Sequence, residues 1–181
     1  MRSHRTRSRD VIFQSLESRR LLATVAPGLE TDIAYGGAIN NGTSMDFAPD
    51  GRLWVTTQSG TVRVIQRNAT TSTVAASFTV DSFFERGLLG IAFDPAFGDT
   101  NNYVYLYRTI PSAQGGPYNR VARFNVVGDT IDTASEEIIM NLDPLSAGNH
   151  NGGAIHFGPF DGKLYVGVGE NAVGANAQVI T

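Results

Sequence analysis

Cysteine is absent from the 181 residues, and lysine occurs once, at Lys163. No disulfide, thiolate metal site or cysteine nucleophile is therefore available, which suits an exported protein that uses no disulfides. No apolar run approaches the ~20 residues a helix needs to cross a bilayer, so a membrane-spanning helix is excluded. With 20 glycines and few Leu, Glu or Gln, the composition argues against a helical bundle. What is present is apolar material, 41% of all residues, enough for a packed core and too much for a disordered tail.

The net charge of -3 conceals an asymmetry. Residues 1–20 hold six arginines (2, 5, 7, 9, 19, 20) against Asp10 and Glu17, a local +4, and the rest of the chain stands at -7. The acidic body has no basic stripe with interleaved aromatics, so nucleic acid is not expected as a partner. Residues 1–26 read as an export or targeting segment outside the fold, although Glu17, Arg19 and Arg20 break the uninterrupted apolar stretch of an ordinary secretory signal. Ser15–Ala23 resembles a short Leu-Glu-x-Arg-x-Leu-Leu element near the start of exported bacterial surface proteins. The expected location is periplasmic, cell-surface or extracellular.

Residues 27–181 make up the expected propeller domain, and from residue 30 onward the chain predicts short strands punctuated by Gly, Asn, Asp and Pro. Met45–Pro49, Arg52–Thr57, Thr61–Ile65 and Thr73–Val80 form a first set. Leu88–Pro95, Asn102–Arg108, Arg120–Val126 and Glu137–Asn141 form a second. Ala154–Pro159 and Asp161–Val168 open a third, cut off at Gln178–Thr181. The repeated marker is Phe-x-Pro, at Phe47/Pro49, Phe93/Pro95 and Phe157/Pro159, spaced by 46 and 64 residues. Four strands per repeat of ~40–50 residues is the pattern of a β-propeller blade. The fold class is thus all-β, a propeller of which two blades and the start of a third are present; closure needs ~4–8 blades, so the chain reads as the N-terminal part of a larger propeller.

Three polar clusters lie at strand ends. Ser146–Gly153 (SAGNHNGG) precedes the innermost strand of the third blade and carries His150, whose ordinary pKa near ~6.5 suits a general base, with Asn149 and Asn151 to orient it or hold a ligand. The competing reading is a turn whose histidine caps backbone groups. Phe84–Gly90 occupies the matching place in the second blade. There Arg86 is placed to bind a carboxylate in bidentate fashion, and the alternative is a local Glu85–Arg86 surface pair. Gly167–Asn171 leaves the next strand and, with Asn176 and Gln178, adds polar groups; no βαβ unit follows, so nucleotide binding is rejected. Asp94, Asp99, Asn101 and Asn102 match no calcium loop, and His150 with His156 is a poor zinc pair, so no metal ligands are assigned.

Glu85–Phe97 (ERGLLGIAFDPAF), Asn119–Phe124 (NRVARF) and Asn149–Asn171 (NHNGGAIHFGPFDGKLYVGVGEN), together with Met45–Val55, resemble the soluble quinoprotein glucose/sorbosone dehydrogenase family. The resemblance runs from about residue 28 to 178. It implies a six-bladed propeller, pyrroloquinoline quinone (PQQ) as cofactor, and Ca²⁺ whose ligands lie beyond the C-terminus of this chain. It further implies a small-molecule sugar substrate, an electron acceptor of unspecified kind, His150 as base, Glu85 and Asn149 as quinone contacts, and a substrate-pocket loop with Asn171, Asn176 and Gln178. A charged Glu85 beside a tricarboxylate is unfavourable unless it is protonated or paired with Arg86. Phe160 is an extra residue in the Pro-Asp-Gly turn. The alternatives are a non-catalytic cell-surface binding propeller and a metal-dependent lactonase-type propeller built on Glu85, Asn149 and Glu170.

Overall fold

A computed structural model describes residues 39–176; the segment 1–26 and Gln178 lie outside the described residues. Two four-stranded antiparallel sheets follow one another along the chain. The first is β1 (Gly42–Phe47), β2 (Leu53–Thr57), β3 (Thr61–Ile65) and β4 (Ser72–Ser77), paired in that order. The second is β5 (Leu88–Phe93), β6 (Tyr103–Ile110), β7 (Tyr118–Val127) and β8 (Thr130–Pro144), again consecutive. β9 (Gly152–Phe157) and β10 (Leu164–Val168) form the third, two-stranded sheet. These are blades of a partial propeller, the all-β class that the sequence predicts.

The turns follow from residue chemistry. Gly51 at φ +89° and Gly60 at φ +97° take the left-handed conformation that lets β1 turn into β2 and β2 into β3. Within β2 and β3, Trp54, Thr56, Val62 and Val64 alternate onto one buried face. That face packs against Leu88, Ile91, Phe93, Leu106 and Phe124 of the second blade. Trp54 is fully buried, with its ring centroid 5.3 Å from that of Phe93. The other face of the second blade carries Ala92, Tyr105, Tyr107 and Val121, which meet Ile155 of β9.

The strands that begin each sheet, β1, β5 and β9, lie side by side. Asp46 Oδ2 on β1 accepts the Phe93 N–H of β5 at 3.0 Å, and Thr43 Oγ1 donates to the Leu88 carbonyl at 2.5 Å. β5 and β9 come closer still: a Cβ on Gly90 would fall 2.0 Å from the Gly153 carbonyl oxygen. The loops entering β5 and β9 are brought together by this stacking, and the hairpin register places the loop leaving β10 beside them.

Several strands differ in extent from the sequence expectation. β4 stops at Ser77 instead of Val80, and β9 begins at Gly152 instead of Ala154. β8 runs from Thr130 to Pro144 where only Glu137–Asn141 is predicted. Its first half, Thr-Ile-Asp-Thr-Ala-Ser-Glu, is polar because β8 is the outer edge of its sheet, and polar residues with bulges are how edges stay unpaired. Phe160 projects fully into solvent from the β9–β10 turn, at the opposite end of the hairpin from His150.

Candidate active site

Three loops meet at one end of the neighbouring first strands: Asp81–Gly87 before β5, Leu145–Asn151 before β9, and Gly169–Asn176 after β10. The β9–β10 register pairs Gly152 with Val168, and continuing it two residues outward sets position 150 across from position 170. His150 Nδ1 there meets Glu170 Oε1 in a short contact. The carboxylate raises the imidazole pKa above its ordinary value, chiefly by that hydrogen bond and then by charge attraction, and Glu85 adds a smaller pull in the same direction. The partner effect lowers Glu170, first through His150 and also through the Ala172 N–H that Oε2 accepts at 2.7 Å. With Nδ1–H donating to Glu170, Nε2 carries the lone pair.

The backbone of His150 is held as tightly as its ring. Its φ of +58° is left-handed, a rare state for a residue with a Cβ. Its N–H donates to Glu85 Oε2 at 2.7 Å, and its carbonyl accepts the Asn171 N–H at 3.2 Å. Gly169 runs so close beneath that a Cβ there would lie 1.7 Å from the His150 carbonyl oxygen. The side chain is nonetheless half exposed, so the ring faces open space. His150, Glu170, Asn176 and residues 166–169 line a cleft of about 720 Å³.

A buried polar network braces the loop from below. Asn151 is 2% exposed, and its carbonyl accepts the Tyr107 hydroxyl at 2.7 Å and Asn119 Nδ2 at 3.2 Å. Thr109 Oγ1 donates to Asn119 Oδ1 at 2.7 Å and accepts the Gly87 N–H at 3.2 Å, so the same network reaches the loop before β5. Burial pushes the Tyr107 phenol up to about 12, which keeps it a donor at any physiological pH. Asn151, grouped by sequence with the ligand-orienting amides, is thus scaffold.

The other predicted residues fall into distinct places. Arg86 does not pair with Glu85; its guanidinium bonds Asp81 Oδ2 at 2.8 Å and the Ala147 carbonyl at 2.8 Å, with only a tenth of the side chain exposed. Both side chains reach the loop before β9 at different points, Glu85 at the His150 N–H and Arg86 at the Ala147 carbonyl. Asn171 Oδ1 accepts the N–H groups of Ser146 and Ala147 at 3.1 and 3.0 Å, which staples two loops together. Asn176 lines the cleft and donates to the Glu170 carbonyl at 3.2 Å. Asn149 is half-buried, with its side-chain amide unbonded to any other described residue. Among the described residues, no three or more of His, Asp or Glu converge as a metal-holding group. Residue type alone does not single out Glu170 as the imidazole's partner; the strand register was the available signal.

Residues 39–181 match the Glucose / Sorbosone dehydrogenase family. Among solved structures, an oxidoreductase described as a glucose dehydrogenase from Thermus thermophilus is 34% identical, with a TM-score of 0.68 over 79% of this chain and 40% of its own length. The PQQ-bound aldose sugar dehydrogenase of Streptomyces coelicolor is 28% identical, with a TM-score of 0.64 over 78% of this chain and 41% of its own. The apo soluble aldose sugar dehydrogenase of Escherichia coli, at 23% identity and a TM-score of 0.60 over 73% of this chain and 38% of its own, bears on the fold alone. The chain spans about 40% of the length of the first two.

Proposed function

Because the chain belongs to the Glucose / Sorbosone dehydrogenase family, we propose that residues 39–176 form the base-bearing sector of a quinone-dependent oxidation of an aldose. The single observation that carries this reading is the His150–Glu170 pair at the wall of an open cleft. Glu170 fixes the ring and the tautomer, so the Nε2 lone pair takes the proton from the sugar's anomeric hydroxyl. The imidazolium that forms is stabilised by the same carboxylate. Loss of the hydroxyl proton pushes electron density toward the anomeric C–H bond, which promotes departure of hydride. Pyrroloquinoline quinone, when bound, supplies the hydride acceptor. Asn176 and the Gly167–Gly169 backbone offer hydrogen-bonding groups to sugar hydroxyls.

The residues present fit the reacting side of that cofactor. Asn149 has a side-chain amide that no other described residue engages, beside the base. Glu85, the other residue that the resemblance gives as a quinone contact, is bonded to the His150 N–H. The cofactor's carboxylates are another matter, since Arg86 is already committed to Asp81 and Ala147. Calcium, export through residues 1–26 and the electron acceptor belong to the same proposal and rest on the sequence resemblance.

The test is a chimera. Residues 39–176 replace the matching sector of the Streptomyces coelicolor enzyme, and dye-linked aldose oxidation is measured with quinone and Ca²⁺ added. Oxidation should persist, and His150→Ala should lower kcat by about 100- to 10,000-fold, the usual worth of a positioned base. Undiminished oxidation in that variant would remove His150 from the chemistry and leave the non-catalytic binding propeller as the better account.

A further inference from the structure

We propose that Glu85 is the positioning residue of His150 and serves the base rather than the cofactor, an inference that rests on His150 being the base of the oxidation above. The left-handed backbone of His150 needs its surroundings to hold it, because such conformations persist only where neighbours over-determine them. Glu85 supplies the hold on the N-terminal side by accepting the His150 N–H at 2.7 Å, while its own N–H donates to the Gly148 carbonyl at 2.9 Å. The two loops are therefore bonded in both directions around one residue.

Glu85 is itself fixed from the first blade. The Gln58 side-chain nitrogen donates to the carbonyls of Phe84 and Arg86, one on each side of Glu85. Gly87 runs so close to Gln58 that a Cβ would lie 2.3 Å from the Gln58 carbonyl oxygen. Phe84, at φ +56°, and the Phe83 ring pack on Gly148, where a Cβ would meet both at 3.0 Å. With Arg86 turned to Asp81, no cation among the described residues neutralises Glu85. The charged groups of the described residues that face His150 are thus two carboxylates, Glu170 from the loop after β10 and Glu85 from the loop before β5, and both favour the protonated ring. A carboxylate tied to the backbone of the base is poorly suited to hold a polyanionic cofactor, which resolves why an acid stands at this position.

The 181-residue chain itself suffices for the test, since it holds only three histidines and the imidazole of His150 can be followed by NMR. Glu85→Ala should speed hydrogen exchange of the His150 amide by about 10-fold or more, the expected loss of a charge-assisted hydrogen bond. Glu85→Gln retains an acceptor oxygen. It should keep that protection and lower the imidazole titration midpoint. Glu170→Gln should lower the midpoint without touching the amide. An unchanged His150 amide in Glu85→Ala, or an unmoved midpoint in Glu85→Gln, overturns the proposal; the second readout stands even where the alanine variant does not fold. A midpoint indifferent to Glu170→Gln would instead sink the imidazole–carboxylate pair, with the Glu85 result intact.

Discussion

His150 is engaged by two carboxylates in different ways, Glu170 on the ring and Glu85 on the backbone. Both raise its pKa, so the neutral ring that a base requires appears only above a raised midpoint. In the chimera, Glu170→Gln should move the acidic limb of the kcat/KM profile to lower pH while kcat falls, because the ring is released from its carboxylate and loses its orienter together; a pH–rate series on the two proteins checks it. Ionic attraction between the two side chains holds their loops from above the lowered pKa of Glu170 up to the raised pKa of His150, and it fades as pH rises through the latter. In the sequence His150 stands out by its Gly- and Asn-rich loop before a first strand, a setting that suits a backbone-capping histidine as well, and its reading as the base comes from the family resemblance. Its partner was not legible from residue type, since Glu170 lies 20 positions away and meets it only through a hairpin register that shifts between Val166 and Val168.

At the scale of strands, glycines decide how closely the blades approach. Gly90 and Gly153 face each other across β5 and β9, and a Cβ on Gly153 would come 2.5 Å from the Leu89 Cβ. Gly90→Ala should therefore destabilise by about 1–3 kcal/mol, the usual cost of forcing extra volume into a packed seam. Gly42→Ala is the contrast: nothing lies nearer than 3.9 Å to its Cβ, and φ there is not left-handed. That change should be neutral or stabilising by up to about 1 kcal/mol through the unfolded chain. Urea midpoints of the two variants measure the difference. Strand order, turns and the inward faces were legible, because Phe-x-Pro markers and Asp-Gly or Ser-Gly turns are local signals. The length of β8 was not. Its pairing to β7 breaks register three times, and its exposed edge has no reason to alternate apolar with polar.

The outer faces of the stack bear on what these residues do alone. Met45, Phe47 and Val74 lie exposed on the side of the first blade turned from the second, and Tyr165 and Val168 lie exposed on the third sheet. Blades bury such faces against neighbours, and apolar patches of this kind are sites of association. The residue chemistry at the site points the same way: Glu85 and Glu170 are anionic, the nearby Arg86 guanidinium is bonded to Asp81, and the described residues converge no metal-holding group. A polyanionic cofactor would meet net repulsion there, with the base in place but no free cation among the described residues of the site to hold its carboxylates. The 181-residue chain, given pyrroloquinoline quinone, Ca²⁺, glucose and a dye acceptor, should therefore show no turnover and no saturable quenching of Trp54 fluorescence by the quinone. Turnover in that mixture would mean that the sector binds the cofactor by groups other than those described, and that Arg86 or Glu85 changes partners to do so.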